Sequence, residues 1–131
     1  MATETDDRAW IVRKLSHRHA IPVENPAKPG TPDVNYDGGW IEMKHLKAWP
    51  KRPTTAIKIP TYTSQQRVFA RRRDACGGKI FFLLVVGYEW ALMDGLWAAD
   101  NIGTATQAEI RRNTIYLWDQ KPTRKELDEW L

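Results

Sequence analysis

Long apolar segments and paired cysteines are what this 131-residue sequence lacks. Its longest apolar run, Ile80 to Val86, is far shorter than the roughly 20 residues of a membrane-spanning helix, so we expect no membrane partner. The single cysteine, Cys76, excludes an internal disulfide, which agrees with a reducing compartment. The first residues lack the basic and apolar regions of a signal peptide. We therefore expect a cytoplasmic protein.

Signatures of cofactor sites are also missing from the sequence. It contains no Walker loop, dinucleotide fingerprint, zinc knuckle, internal repeat or low-complexity tract. His17 and His19 are two residues apart near the end of a predicted helix, where they do not share a face, and no third soft ligand accompanies them. We therefore expect neither a zinc site nor a small-molecule cofactor.

Basic residues are concentrated in the first part of the chain. The composition, with 42% hydrophobic and 27% charged residues, is that of an ordinary soluble protein and predicts one domain over residues 1–131. The net charge is +4, but residues 8–79 hold fifteen basic side chains against five acidic ones, a local charge of +10. Such a surface attracts a polyanion such as nucleic acid, and an inert solvated face is the alternative.

A β-hairpin is predicted over residues 33–46. An Asp-Gly pair at positions 37 and 38 is typical of a tight turn, so strands over residues 33–36 and 40–46 should pair antiparallel. In that register Asp33 lies alongside Glu42. Lys44 shares the Glu42 face because side chains alternate along a strand.

The hairpin thus gathers two carboxylates and one ammonium group. Paired carboxylates without a nearby His or Cys are hard oxygen ligands suited to Mg²⁺ or Mn²⁺. A neighbouring lysine can orient or help deprotonate an attacking water and can offset negative charge on phosphorus. The cluster predicts metal-assisted phosphodiester hydrolysis. The alternative is that these acidic and basic residues are ordinary solvated surface residues that bind no metal, since each type is common on exposed strands and turns.

Helices and further strands surround the hairpin in the predicted order. Thr3 and Asp6 form a capping box that opens a first helix reaching about His19. Short strands are predicted over residues 21–24 and 56–59. The apolar run at residues 79–87 predicts a central strand covered on both faces, followed by a strand over residues 88–93 that an Asp-Gly pair closes.

A second helix is predicted between the hairpin and the central strand. Thr63 and Gln66 form its capping box, and the glycines at positions 77 and 78 end it. Its predicted polar side carries Arg67, Arg71 and Arg73. Its predicted packed side carries Val68, Phe69, the stem of Arg72, and Cys76.

The order and spacing of these motifs resemble a known nuclease family. Gly-x-Pro-Asp, a hairpin and an acid-apolar-lysine strand resemble the PD-(D/E)XK nuclease superfamily, with Asp33, Glu42 and Lys44 on its three motif positions. A Ser/Thr-x-x-Gln helix that ends in Gly-Gly before a buried strand is similar to the virus-type replication-repair nuclease (VRR-NUC) branch and the archaeal Holliday junction resolvases. The resemblance covers residues 3–95.

The resemblance implies a fold. It predicts an α/β restriction-endonuclease-like core, a small mixed sheet flanked by helices in the order α-β-β-β-α-β. An α/β extension follows over residues 96–131, with a helix near residues 106–112, a strand at 114–118 and a last helix opened by Pro122. We identify no chemistry in this extension.

The resemblance also implies roles for individual residues. Asp33 and Glu42 would bind Mg²⁺ or Mn²⁺, with the backbone carbonyl of Met43 or Val34 assisting. Lys44 would position or activate water, and Gln66, or Gln65 in its place, would support it. An acid in the first helix would complete the metal site. Glu4 matches that position best and Asp7 is the alternative, while complementing the helix dipole is an equally good explanation of both.

The implied function is an endonuclease acting on branched, flap or junction DNA as a homodimer, of the size common in phage genomes. DNA contacts are predicted at Lys47, Lys51, Arg52, Arg67 and Arg71. Trp49 either stacks on an unpaired base or packs on the protein surface. Two alternatives remain: a non-catalytic DNA-binding protein on a nuclease-like scaffold, and an accidental match in a structural or virion protein.

Overall fold

The computed structural model describes residues 3–131 and shows a six-stranded mixed sheet flanked by five α-helices. The elements are α1 (Glu4–Lys14), β1 (Ile21–Pro22), β2 (Val34–Tyr36), β3 (Gly39–Leu46), α2 (Ser64–Ala75), β4 (Ile80–Val86), β5 (Glu89–Asp94), α3 (Gly95–Asn101), α4 (Gln107–Asn113), β6 (Tyr116–Trp118) and α5 (Arg124–Trp130). A 3-10 turn, Ser16–Arg18, follows α1. The longest helix, α2, has 12 residues, and no helix described here could cross a membrane.

The strands lie side by side in sequence order. Only β3 and β4 are parallel, because α2 carries the chain back to the starting edge of β3 before β4 begins. The first six regular elements therefore follow the predicted order α-β-β-β-α-β. Strand β6 pairs with β5, so the C-terminal region extends the same sheet.

Apolar side chains cover both faces of the sheet. On one face Ile11 of α1 and Leu127 of α5 pack against Met43 and Leu83. On the other face a second cluster joins the helices α3 and α4 to the alternate residues of β4 and β5. Strand β4 is consequently buried on both sides, which confirms the prediction made from its continuous apolar run.

Several predicted boundaries differ from the structure. The first helix stops at Lys14, short of His19, because the chain turns into β1 through the 3-10 turn and a left-handed His19 (φ 54°). Residues 56–59 form no strand, only a single bridge from Ala56 to Thr106. Helix α3 was not predicted. The Asp-Gly pair closes β5 as predicted, and in addition the Asp94 carboxylate caps α3 by accepting a hydrogen bond from the Trp97 N–H.

The predicted packed side of α2 is also wrong in part. Val68 is 44% exposed, and Arg72 and Cys76 are exposed as well, although Phe69 is partly buried as expected. The buried residue of the helix is Ala70, which contacts Ala99 of α3 within one cluster. The missing information was α3 itself, which provides the surface that α2 packs against.

Candidate active site

The β2–β3 hairpin places Asp33 beside Glu42. Val34 pairs with Ile41 and Tyr36 with Gly39, so the next position outward in this antiparallel register sets Asp33 opposite Glu42. The Asp33 carboxylate is held in place because its Oδ2 accepts a hydrogen bond of 3.0 Å from the Met43 N–H. The predicted hairpin and its register are therefore confirmed.

A glycine allows the loop before Asp33 to lie against the start of α2. Gly30 has φ +96°, and a Cβ placed there would come within 2.6 Å of the Gln65 backbone. A larger residue would therefore push this loop away from the helix. Glycine at this position lets the Asp33 loop, strand β3 and the start of α2 share one small region.

Glu42 and Lys44 point to the same face of β3, as predicted, and both are buried. Their exposed fractions are 3% and 4%, whereas the alternate residues Ile41 and Met43 pack in the core on the α1 side. The Lys44 Nζ donates a hydrogen bond of 3.0 Å to the Thr61 carbonyl. Burying charged groups is unfavourable unless they are paired, which makes this pair unusual for a purely structural strand.

The Glu42 carboxyl group accepts no hydrogen bond. Neither of its oxygens has a donor within residues 3–131, which is uncommon for a buried polar group, and only the protonated form has a hydrogen-bond partner, the Asp33 carboxylate. Burial, followed by the neighbouring Asp33 carboxylate, raises the pKa of Glu42 to about 9, and the Lys44 charge only partly opposes this. In the metal-free protein Glu42 therefore keeps its proton at neutral pH.

Glu4 lies closer to the carboxylate pair than Asp7 does, as judged from the charges that act on each acid. Burial raises the pKa of Glu4, the Lys44 charge lowers it and the Asp33 charge raises it, so Glu4 lies within electrostatic range of both. Asp7 is instead close to His45, whose Nε2 is 3.8 Å from the Asp7 Oδ2. Participation of Glu4 in a metal site stays a prediction.

Carboxylate oxygens are suitable ligands for a hard divalent cation, but the site offers only a small number of them. In the described part of the chain, no group of three or more His, Cys, Asp or Glu side chains is arranged to hold a metal ion. Mg²⁺ commonly uses one or two carboxylates and completes its shell with waters and substrate phosphate oxygens. Asp33 and Glu42 satisfy that smaller requirement.

Gln66 is a capping residue in the structure. Its Oε1 accepts a hydrogen bond of 2.8 Å from the Thr63 N–H, while the Thr63 Oγ1 accepts from the Gln66 N–H. The capping box fixes the start of α2 two residues after Thr61, the residue that holds Lys44. Gln65, the alternative candidate, is exposed on the first turn.

The loop after β3 contributes three of the predicted DNA contacts. Lys47, Lys51 and Arg52 are exposed, and none of them forms an ion pair with another residue of the described chain. The open question about Trp49 is decided by its contacts. Its Nε1–H donates to Glu89 over 3.0 Å, and the Arg111 guanidinium lies 5.2 Å from its ring centroid, so Trp49 packs on the protein.

Arg67 and Arg71 are engaged within the protein. The Arg67 Nη1 donates to the Ala99 carbonyl over 2.8 Å, and its guanidinium stacks 4.4 Å from the Tyr62 ring centroid. Arg71 donates to the same carbonyl and to the Asp100 carboxylate. Both arginines therefore join α2 to α3, a role that sequence analysis missed because it did not predict α3.

We expect Arg67→Ala to lower the free energy of unfolding by about 1–3 kcal/mol, because it removes a charged hydrogen bond to the Ala99 carbonyl and the contact of the guanidinium with the Tyr62 ring, and leaves only Arg71 to bond that carbonyl. The control is Arg72→Ala, an exposed arginine of the same helix, for which we expect a change within about 0.5 kcal/mol. Urea denaturation followed by circular dichroism measures both. Equal stability of the two variants would contradict a structural role for Arg67.

Comparison with known proteins adds no relative, since neither a protein-family profile nor a curated protein matches the chain.

Proposed function

We propose that this protein is a Mg²⁺- or Mn²⁺-dependent endonuclease of the PD-(D/E)XK type that hydrolyses DNA phosphodiester bonds. The observation that carries the proposal is the adjacency of Asp33 and Glu42 across the hairpin, with the Lys44 ammonium group on the same face. The element order α-β-β-β-α-β supports a restriction-endonuclease-like core around this cluster. The resemblance to the VRR-NUC branch supplies the reaction class.

Asp33 and Glu42 would hold the cation, and Glu42 has two oxygens free for this task. Along a strand the N–H and C=O of one residue point to the same side. The Met43 N–H faces Asp33, so its carbonyl faces the same region and is the third ligand we propose. Glu4 adds a further negative charge at the rim. A bound divalent ion would act as a Lewis acid on the phosphate and lower the pKa of water.

Lys44 is placed to position the attacking water and to balance charge on phosphorus. Its ammonium group uses one donor on the Thr61 carbonyl and keeps two others for water or a phosphate oxygen. Gln66 supports this arrangement indirectly, because its capping box fixes the chain next to Thr61. We therefore assign Lys44 a catalytic role and Gln66 a positioning role.

The proposed DNA contacts are Lys47, Lys51 and Arg52, on the loop that directly follows the site-bearing strand. Exposed cations without internal partners can neutralise phosphates and release counterions. Preference for branched, flap or junction DNA and action as a homodimer are proposals taken from the family resemblance. A dimer would present two such sites to two strands of a junction.

A DNA-binding protein without cleavage activity is the second candidate. The burial of Glu42 favours it, because both carboxyl oxygens are covered and the group retains its proton at neutral pH. A metal ion would have to displace that proton and reach the oxygens. In this second candidate the hairpin serves only as a scaffold, and the exposed basic loop that follows β3 binds DNA.

Incubation with branched, nicked and linear DNA separates the two candidates. We expect cleavage with Mg²⁺ or Mn²⁺ and none with EDTA, with branched substrates cut fastest. Gel electrophoresis of end-labelled strands measures the products. DNA binding without any metal-dependent cutting would reject the nuclease and leave the second candidate.

We expect Lys51→Ala and Arg52→Ala each to weaken DNA binding and to reduce the slope of log affinity against log salt by about one phosphate contact. Fluorescence anisotropy in EDTA measures affinity without cleavage. Lys125→Ala, an exposed lysine on α5, is the matched control and should leave the slope unchanged. If neither variant changes the slope of log affinity against log salt, DNA does not bind at this loop.

A further inference from the structure

A cavity of about 850 Å³ lies on the α1 side of the sheet, apart from the carboxylate pair. It opens between α1, the ends of β3 and β4, and the segment that leads into α5. Its volume is typical of small-molecule sites. Asp33, Glu42 and Lys44 do not line it. Its walls include Trp10, Lys14, His45, Lys47, Tyr88 and Lys121.

Three lysine side chains line the cavity without an acidic partner at ion-pair distance. Within residues 3–131, the side chains of Lys14, Lys47 and Lys121 form no ion pair and no hydrogen bond. The Nζ atoms of Lys14 and Lys121 each lie 4.6 Å from the centroid of the Trp10 ring, so at most twice that distance separates them. An anion between these like charges would relieve their repulsion.

The one acidic residue that lines the cavity offsets only part of this positive charge. Asp7 is only 2% exposed, and its Oδ2 lies 3.8 Å from the Nε2 of His45. Burial raises the pKa of Asp7, and the Lys121 charge is among those that lower it, so Asp7 lies within electrostatic range of Lys121. Three lysines against one buried carboxylate leave the lining cationic and aromatic, which favours an anionic ligand.

Tyr88 supplies an aromatic surface at the cavity mouth. Val86 pairs with Glu89, so Gly87 and Tyr88 form a two-residue turn, with Gly87 at φ +60° and its N–H bonded to the Leu46 carbonyl over 3.1 Å. This turn displays the Tyr88 side chain at 87% exposure. An exposed aromatic ring in the same cavity lining as three lysines matches the arrangement used to stack nucleic-acid bases next to their phosphates.

We propose that this cavity binds one nucleotide, with its base stacked on Tyr88 and its phosphate held by Lys14, Lys47 and Lys121. The nucleotide is either free or an unpaired residue of a DNA strand, and the two share the same chemistry. The strand-bound form rests on the proposed function.

Binding measured in EDTA tests the proposal without cleavage. The probes are dAMP and dGMP, a single-stranded decanucleotide, and a blunt duplex of 20 base pairs. Isothermal titration calorimetry of the full chain should detect the mononucleotides, the single strand or both, each more tightly than the duplex. Binding of the mononucleotides alone identifies a free nucleotide as the ligand, and tighter binding of the single strand identifies an unpaired nucleotide.

Variants locate the binding in the cavity. We expect Tyr88→Ala and Lys121→Gln each to weaken binding of the preferred probe about tenfold, because each removes one element of the site. Lys125→Gln, four residues along the chain and outside the cavity, should have no effect. Absence of binding, or binding that neither cavity variant weakens, overturns the proposal.

The nucleotide proposal and the nuclease proposal can fail separately. Asp33→Asn should bind the preferred probe as tightly as the unmodified protein, because Asp33 does not line the cavity. A protein that binds nucleotides but never cuts DNA would therefore support the cavity proposal and reject the nuclease. Loss of nucleotide binding in Asp33→Asn with intact circular dichroism would show that the ligand occupies the carboxylate site, and would overturn the cavity proposal.

Discussion

Asp33→Asn should reduce metal-dependent DNA cleavage by about a thousandfold or more while leaving DNA affinity in EDTA nearly unchanged. The asparagine oxygen can still accept the hydrogen bond from the Met43 N–H, so the hairpin keeps its geometry. The variant lacks the charge that a divalent cation requires. Loss of metal-assisted catalysis removes several kcal/mol of transition-state stabilisation, and each 1.4 kcal/mol corresponds to about tenfold in rate. Single-turnover cleavage of a branched substrate measures the loss.

Asp37→Asn provides the matched control for this experiment. Asp37 lies in the turn of the same hairpin, and its carboxylate pairs with Arg18 over 2.8 Å, away from the carboxylate pair. We expect this variant to cleave at nearly the unmodified rate. If Asp33→Asn retains cleavage, or if both variants lose it equally, Asp33 is not a ligand of the catalytic metal.

Glu42→Gln should make the metal-free protein more stable at alkaline pH. Folding raises the pKa of Glu42 from 4.5, the ordinary value of a glutamate side chain, to about 9. Between these pH values the folded protein binds a proton that the unfolded chain has released, so stability falls as the pH rises through this window. One pKa unit corresponds to about 1.4 kcal/mol, so the loss by pH 9 amounts to several kcal/mol. A glutamine side chain does not ionise, so the stability of the Glu42→Gln variant should change less with pH.

Thermal denaturation in EDTA from pH 5 to pH 9 measures this difference. Glu24→Gln, at a side chain that is 84% exposed, is the control and should follow the unmodified protein. Adding Mg²⁺ at pH 8.5 should raise the denaturation temperature of the unmodified protein, since a ligand of the folded state stabilises it, and should leave Glu42→Gln unchanged. Parallel pH profiles for the unmodified protein and Glu42→Gln would show that Glu42 ionises freely in the folded state.

Most of what sequence analysis predicted correctly depends on signals within a few residues. The Asp-Gly turn specified the hairpin, and strand alternation then placed Asp33, Glu42 and Lys44 together. Capping boxes located the starts of α1 and α2, because each is a reciprocal pair of hydrogen bonds three residues apart. The continuous apolar run of β4 located the centre of the sheet.

Several features that sequence analysis missed involve partners that are distant in the sequence. Without α3, nothing in the pattern of α2 indicates that Arg67 and Arg71 bond to Ala99 and Asp100, whereas their contact with DNA stays a prediction. Trp49 was ambiguous for the same reason, since Glu89 and Arg111, which hold it, lie about 40 and 60 residues away. Long side chains adopt the contacts that the assembled surface offers, and local propensity does not encode them.

By itself, the sequence determined the hairpin, its register and the identity of the two acids and the lysine that converge on one strand face. The tertiary structure decided how these groups behave. Packing buried Glu42 beside Asp33, which raises the pKa of Glu42, and it brought Glu4 within electrostatic range of Asp33 and Asp7 close to His45. Desolvation and long-range charge depend on the whole fold, whereas turns, caps and alternation depend on neighbours along the chain.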